Sequence, residues 1–177
     1  MSTSTLERVT TSRLLCERLR PEHLDELVPV MLDPRVAQWL WPYPAPPTEA
    51  DVLAGLQAKV EHWERFGFGM WLVRDRATGA TVGRGGLQYT YSPGLDEIEA
   101  GWAILPERWG QGLATELAWA SIDAAFAWLG LREIIALARP DNLASRRVME
   151  KTGFVYGGDT AYAGLPHLLY RRRPQPG

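Results

Sequence analysis

The sequence predicts an α+β fold around a mixed sheet. Three observations carry that prediction. Two helical stripes come early, a run of strand-like segments joined by short turns follows, and a late helix crosses into a further strand. No repeat or low-complexity tract interrupts this order, and the Pro42, Pro44, Pro46, Pro47 cluster is too short for an interdomain linker. The 177 residues therefore read as a single domain with its core between about 11 and 171.

Taken in order, Leu14 to Leu19 reads as the first strand. Pro21 suits the first turn of a helix, and Leu24, Leu27, Val28 and Met31 form its apolar stripe until Asp33-Pro34 ends it. Trp39 to Pro44 then reads as a loop. Thr48 with Asp51 three residues on is an N-terminal capping pattern, and Val52, Leu56, Val60 and Trp63 recur at helical spacing up to Gly67. Phe68–Arg74 and Thr81–Thr90 flank a turn at Ala77-Thr78-Gly79 and predict a hairpin. Ser92-Pro93-Gly94 is another turn. Glu97–Leu105 alternates, with Ile98, Ala100, Trp102 and Ile104 on one face. A helix over Gly112–Leu129, a short strand at Ile134–Ala138 and a helix over Asn142–Thr152 follow. Phe154–Tyr156 and Leu168–Arg171 close the sheet.

Composition narrows the function. Hydrophobic residues make up 46% and charged residues 23%, a globular balance, and the net charge of −2 offers no nucleic-acid footprint. Arg171-Arg172-Arg173 near the end of the chain reads as a solvated tail. The longest apolar stretch, near Ala124–Leu131, falls short of the roughly 20 residues a membrane span needs. The first residues are polar, without a signal core. One cysteine, Cys16, excludes an internal disulfide and fits a reducing cytoplasm; it reads as a buried strand residue. His23, His62 and His167 stand apart, with no metal-ligand spacing.

The stretch Pro106 to Thr115 carries the most chemistry. It leaves a strand, passes Trp109-Gly110-Gln111-Gly112 and opens a helix. Glycines at alternate positions let backbone approach a ligand, and a helix N-terminus adds unpaired N–H groups and about half a positive charge. A phosphate or diphosphate suits that combination. A plain glycine turn between strand and helix is the competing reading, because the lysine of a P-loop and the third glycine of a dinucleotide fingerprint are missing.

These residues resemble the GNAT N-acetyltransferase family, in its RimJ/RimL branch. Glu99-Ala100-Gly101-Trp102 followed by Trp109-Gly110-Gln111-Gly112-Leu113-Ala114-Thr115-Glu116 is similar to one signature of that branch, and Asn142 through Phe154 is similar to the second. The resemblance runs from about residue 11 to 171. It implies a mostly antiparallel sheet, helices on both faces and a splayed central strand pair. It implies acetyl-CoA as co-substrate and no metal. The diphosphate would lie on amides of Gln111, Gly112, Ala114 and Thr115, within a cofactor segment of Trp109, Gly110, Gln111, Gly112, Leu113, Ala114 and Thr115. The pantetheine arm would run between the Glu97–Leu105 and Ile134–Ala138 strands, and an N–H near Ala103 or Ile104 would polarise the thioester carbonyl.

The resemblance also nominates catalytic groups. Glu99 would be the general base that frees an amine of its proton; the wet face of a strand is its competing role. Asn142 would contact pantetheine or acceptor, a role compatible with capping a helix. Ser145 would reach the CoA sulfur. The position where many relatives carry a tyrosine acid is Met149, which cannot donate a proton. Acceptor-side candidates are Trp39, Trp41 and Tyr43 after the first helix, with Gln88 and Tyr89 facing the same cleft. A sheet-edge plug or a homodimer contact competes for the aromatic trio. The expected partner is an amine, on a protein N-terminus or a small molecule, with a non-catalytic CoA-binding module as the rival class.

Overall fold

The structure is a computed structural model of the 177-residue chain and describes residues 6–90 and 95–176. The turn expected at Ser92-Pro93-Gly94 lies outside the described residues. An eight-stranded sheet, ordered β1-β2-β3-β4-β5-β6-β8-β7, organises the chain. The strands β1 (Arg8–Thr10), β2 (Leu14–Arg18), β3 (Met70–Asp75), β4 (Thr81–Tyr89) and β5 (Ile98–Ile104) run antiparallel in sequence order. Next come β6 (Ile134–Ala138), β8 (Leu165–Arg172) and β7 (Val155–Tyr162), again antiparallel. The two groups meet in a parallel pair, β5 with β6, registered only at Glu99 and Ile135. Beyond that point the strands diverge, which is the splay the resemblance implied.

Helices cover both faces. Residues of α1 (Leu24–Met31) and α3 (Glu49–Phe66) pack Leu27, Val52 and Leu56 against Met70 and Leu72. On the other side, α4 (Leu113–Asp123) and α5 (Leu143–Lys151) bring Leu113, Leu117 and Met149 against Trp71, Val73, Leu87 and Ala100. Alternate β3 residues thus enter opposite cores, and the strand is apolar at successive positions because both of its faces are covered. No helix among the described residues is long and apolar enough to cross a membrane.

Local chemistry sets the element ends. Thr48 and Asp51 form a reciprocal cap on α3: the Thr48 N–H donates to Asp51 Oδ2 at 2.8 Å and the Asp51 N–H to Thr48 Oγ1 at 3.3 Å. Gly67, at φ 71°, ends it in the left-handed region. In the β3–β4 turn, Asp75 Oδ1 accepts from the N–H groups of Ala77 and Thr78 at 2.9 and 3.2 Å.

Several expectations need correction. Asp33-Pro34 ends one helix but also starts another, α2 (Pro34–Leu40), so Trp39 is helical. Asp33 accepts the Arg35 N–H at 2.9 Å and proline occupies the first helical position, a start signal as much as a stop. β1 was not expected; its three residues are too few to show a period. The helix expected over Gly112–Leu129 is α-helical only to Asp123 and widens into a π turn over Ala124–Trp128. Gly130, at φ 64°, then lets the Leu131 N–H return to the Ala125 carbonyl at 2.9 Å. The closing strands are a long hairpin rather than short pieces, because Gly157, Gly158 and Pro166 interrupt the sequence pattern while pairing with β8 persists through a bulge. Arg171 and Arg172 are not a solvated tail. Arg171 pairs with Glu97 at 2.7 Å and Glu133 at 2.5 Å, and Arg172 is buried, its Nε donating to the Thr152 carbonyl at 3.1 Å.

Candidate active site

The divergence of β5 from β6 opens a cavity of about 770 Å³. β5 lines one side from Glu99 to Ile104, and Leu137, Ala138 and Arg139 line the other. Trp109 and Ala114 also line it, with Asn142, Ser145 and Met149 from the α5 region and Trp39, Trp41 and Tyr43 from α2 and the residues after it. Most of the residues nominated from sequence therefore meet around one space.

Strand register assigns the backbone groups. The Leu105 N–H donates to the Val82 carbonyl at 2.8 Å. Alternation then turns the Ala103 N–H toward Arg84 on β4, and the Ile104 N–H toward the cavity. Of the two amides expected to polarise a carbonyl, Ile104 is the one the register leaves facing the splay. The carbonyl of Ile104 accepts the indole N–H of Trp109 at 2.8 Å, which fixes that half-exposed ring in the cavity lining.

The glycine turn is open to solvent. Gly110 and Gly112 hold φ of 74° and 76°, and no side chain caps α4, so the amides opening the helix keep their donors. A Cβ on Gly110 would meet nothing within 4 Å, and one on Gly112 would meet only Arg13 Nη2 at 3.5 Å. Backbone conformation, more than crowding, requires glycine here. Gly110, Gln111, Gly112 and Thr115 lie beside Trp109 and Ala114 in the chain without lining the cavity. The Leu113 side chain is buried in the core, so this residue presents backbone alone. Arg13, not singled out from sequence, donates to the Gln111 carbonyl from Nη1 at 2.7 Å and brings a half-exposed cation to the turn. Its position 98 residues upstream left no local signal.

Glu99 sits opposite Gln88 on β4, whose Nε2 donates to Glu99 Oε2 at 3.4 Å. Burial pushes the Glu99 carboxyl above the usual range, against the pull of Gln88 and the positive charges of Lys59 and Arg84. Gln88 thus reaches the cavity only through Glu99. Tyr89 does not face the same cleft: adjacent strand residues point to opposite faces, and its ring packs with Phe66 at 4.5 Å and Phe68 at 5.8 Å. Asn142 caps α5, its Oδ1 accepting the Ser145 N–H at 3.1 Å. Trp41 is fixed by its indole N–H donating to the Ala45 carbonyl at 2.7 Å and by an edge contact to Tyr43, rings 4.9 Å apart. Tyr162 on β7 also lines the cavity and was missed, because the sequence pattern ended that strand at Tyr156. Cys16 is buried away from the cavity. Among the described residues no His, Cys, Asp and Glu cluster could hold a metal ion.

A family model described as an acetyltransferase (GNAT) domain matches residues 13–155, which include the strand, the glycine turn and the α5 segment. The chain belongs to the GNAT acetyltransferase family. A GnaT-family acetyltransferase structure from Bordetella pertussis superposes with a TM-score of 0.79 at 27% identity, covering 93% of this chain and 98% of that one. RimL, a ribosomal L7/L12 alpha-N-protein acetyltransferase solved with coenzyme A, superposes with a TM-score of 0.74 at 19% identity, covering 94% and 98%, a likeness of fold. The FsC-acetyl coenzyme A-N(2)-transacetylase of Aspergillus fumigatus is 31% identical over 158 residues, 82% of this chain and 64% of that protein. The chain spans less than two thirds of the length of the curated relatives it matches. In this GNAT member the mixed sheet with helices on both faces is the fold shared with those structures.

Proposed function

We propose that this GNAT chain is an acetyl-CoA-dependent N-acetyltransferase acting on a primary amine, by direct attack in a ternary complex. One observation carries the reading: a single cavity joins the open turn at Trp109 and Ala114 to the half-buried carboxylate of Glu99. The residues fit the co-substrate. Glycines at positive φ leave the amides of Gln111, Gly112, Ala114 and Thr115 free to hold a diphosphate, and Arg13 adds a cation beside them. An extended chain of amides fits between strands whose own ladder has opened. When bound, acetyl-CoA supplies an acyl group on a thiol that leaves readily, with a pKa of about 8.5.

The protein's part is to bind, orient and move a proton. The Ile104 N–H faces the space where a thioester oxygen gathers charge. Glu99, raised by burial, takes a proton from an ammonium, directly or through water. Direct transfer is favoured because Cys16 lies outside the cavity and the Ser145 hydroxyl has no hydrogen-bonded base among the described residues. Asn142 and Ser145 stand where pantetheine would pass, and Trp39, Trp41 and Tyr43 enclose an acceptor.

A protein N-terminal α-amine is our first acceptor, with small amines next and other acyl groups as an alternative donor range. Acetyl-CoA with a panel of N-terminal peptides and small amines, read by thiol release and product mass, tests this. Acetylated amine in one arm supports the proposal. Coenzyme binding with no acceptor turned over makes the chain a binding module.

A further inference from the structure

A second cavity, of about 160 Å³, lies on the α1–α3 side of the sheet and shares Leu40 and Trp41 with the first. Its walls are apolar, among them Leu19, Leu27 and Leu56, yet two cations enter it, Lys59 from α3 and Arg84 from β4. The Arg84 Nε donates to Met31 Sδ at 3.2 Å, and its remaining N–H groups have no acceptor among the described residues. The Lys59 ammonium likewise has neither hydrogen-bond acceptor nor ion pair among them, although both residues are only partly exposed.

The surrounding carboxylates do not supply the missing charge. Asp51, also on the wall, is committed to its cap with Thr48. Glu26 on α1 is taken by Arg74 and Thr81. Glu99 remains, held to Gln88, near enough to act on both cations without pairing with either. Lys59 and Arg84 thus share the cavity with Asp51, whose Oδ2 is turned to its cap, and have Glu99 nearby, yet pair with neither carboxylate. No buried side-chain nitrogen among the described residues lacks a partner, so these nitrogens still touch water, and a ligand anion would take the place of that partial hydration. Burial and then the charge of Arg84 push Lys59 down to about 8, so this ammonium gains from an incoming anion. The guanidinium fork matches a carboxylate, and the apolar walls match a short stem.

We propose that the small cavity receives an anionic group of the acceptor, a carboxylate on a short stem, held by Lys59 and Arg84 while the amine lies at Glu99. The inference rests on the acetyltransferase reading and gives its acceptor a chemistry. An acidic side chain at the start of a peptide and a small amino acid offer the same group, so both are probed. Matched pairs are compared with acetyl-CoA: peptides beginning with Glu or Gln, and short ω-amino acids or their amides. The wild type should prefer the acid of a pair by about tenfold or more in kcat/KM, a charge-assisted hydrogen bond's worth. The preference should collapse toward unity in Lys59→Met and Arg84→Met. The ratio within each variant cancels any general loss of rate. Equal use of acid and amide by the wild type, or a preference that survives both substitutions, overturns the proposal.

A readout without turnover keeps it separate from the acetyltransferase reading. Wild type and variants are titrated calorimetrically with butyrate and glutarate. Saturable heat in the wild type that the variants lose supports the anion site even if no amine is acetylated. Its absence from folded wild type overturns the site even if amines are acetylated. If Arg84→Met does not fold, Arg84→Lys replaces it and should weaken the preference by losing the fork.

Discussion

Glu116 takes two hydrogen bonds from Arg13, the backbone N–H at 2.8 Å and Nε at 2.7 Å, across 103 positions of chain. Thr11 Oγ1 and Ser12 Oγ donate to the same carboxylate at 2.5 and 3.1 Å. The first turn of α4 is thereby tied to the β1–β2 connection, directly behind the glycine turn. A structural anchor and a candidate anion site share one helix end.

That anchor has a pH signature. Burial pushes the Glu116 carboxyl up, but the hydrogen bonds from Thr11, Arg13 and Ser12 outweigh it and hold the group below the usual range. A lowered native pKa stabilises the fold above the unfolded value, and the gain is lost as pH falls through the native one. Glu116→Gln should cost about 1–3 kcal/mol near pH 7. Denaturant unfolding at several pH values should show that gap closing as the solution is acidified below the ordinary carboxylate range.

Glu99→Gln should lower kcat by about 10²–10⁴-fold, the usual contribution of a general base. Because burial raises the Glu99 pKa, the active carboxylate forms only above the ordinary glutamate range. The wild-type pH–rate profile should therefore fall on its acid side at a higher pH than an exposed glutamate would give. The variant should lack that limb, so the two rates differ most between the Glu99 range and the pKa of the amine, above which the acceptor is neutral without help. Parallel profiles would remove Glu99 from the proton transfer.

Gly112→Glu should weaken coenzyme A binding by more than about tenfold, because it sets a carboxylate against a diphosphate and strains a left-handed residue by about 1–2 kcal/mol. Gly112→Ala carries the strain without the charge and should fall between it and wild type. Isothermal titration of the folded variants measures both, and unchanged affinity would take the diphosphate off this turn.

Cys16 should be silent to thiol reagents in the native protein. Burial, and after it the charge of Glu116, pushes the thiol up to about 12, so almost no thiolate exists at pH 8. A disulfide exchange reagent should titrate no thiol in buffer and one in guanidinium. Rapid native reaction would place β2 differently in the sheet.

Features written in neighbouring residues were legible in the sequence. Thr48, Asp51 and Gly67 delimit α3 by contacts within one helical turn, and the glycine turn before α4 is a local backbone requirement. Pairing across the sheet was not. The β7–β8 hairpin is held by partners from Val155↔Arg171 to Tyr162↔Leu165, through glycines that break any local pattern. Tyr162 was lost with it. Lys59, Arg84 and Arg13 acquire their neighbours only when α3, β4 and the first residues converge, so no spacing announces them. Tyr89 failed for a simpler reason, the two-residue period of a strand, which had already placed Gln88 on the other face.

The single rung between Glu99 and Ile135 makes the sheet two panels, one of five strands and one of three, riveted at one point. A strand-like occupant of the seam would supply the rungs that this divergence leaves out and tie the panels along their length as well as through their shared core. Its binding should then be legible in how slowly the seam amides trade their hydrogens with water.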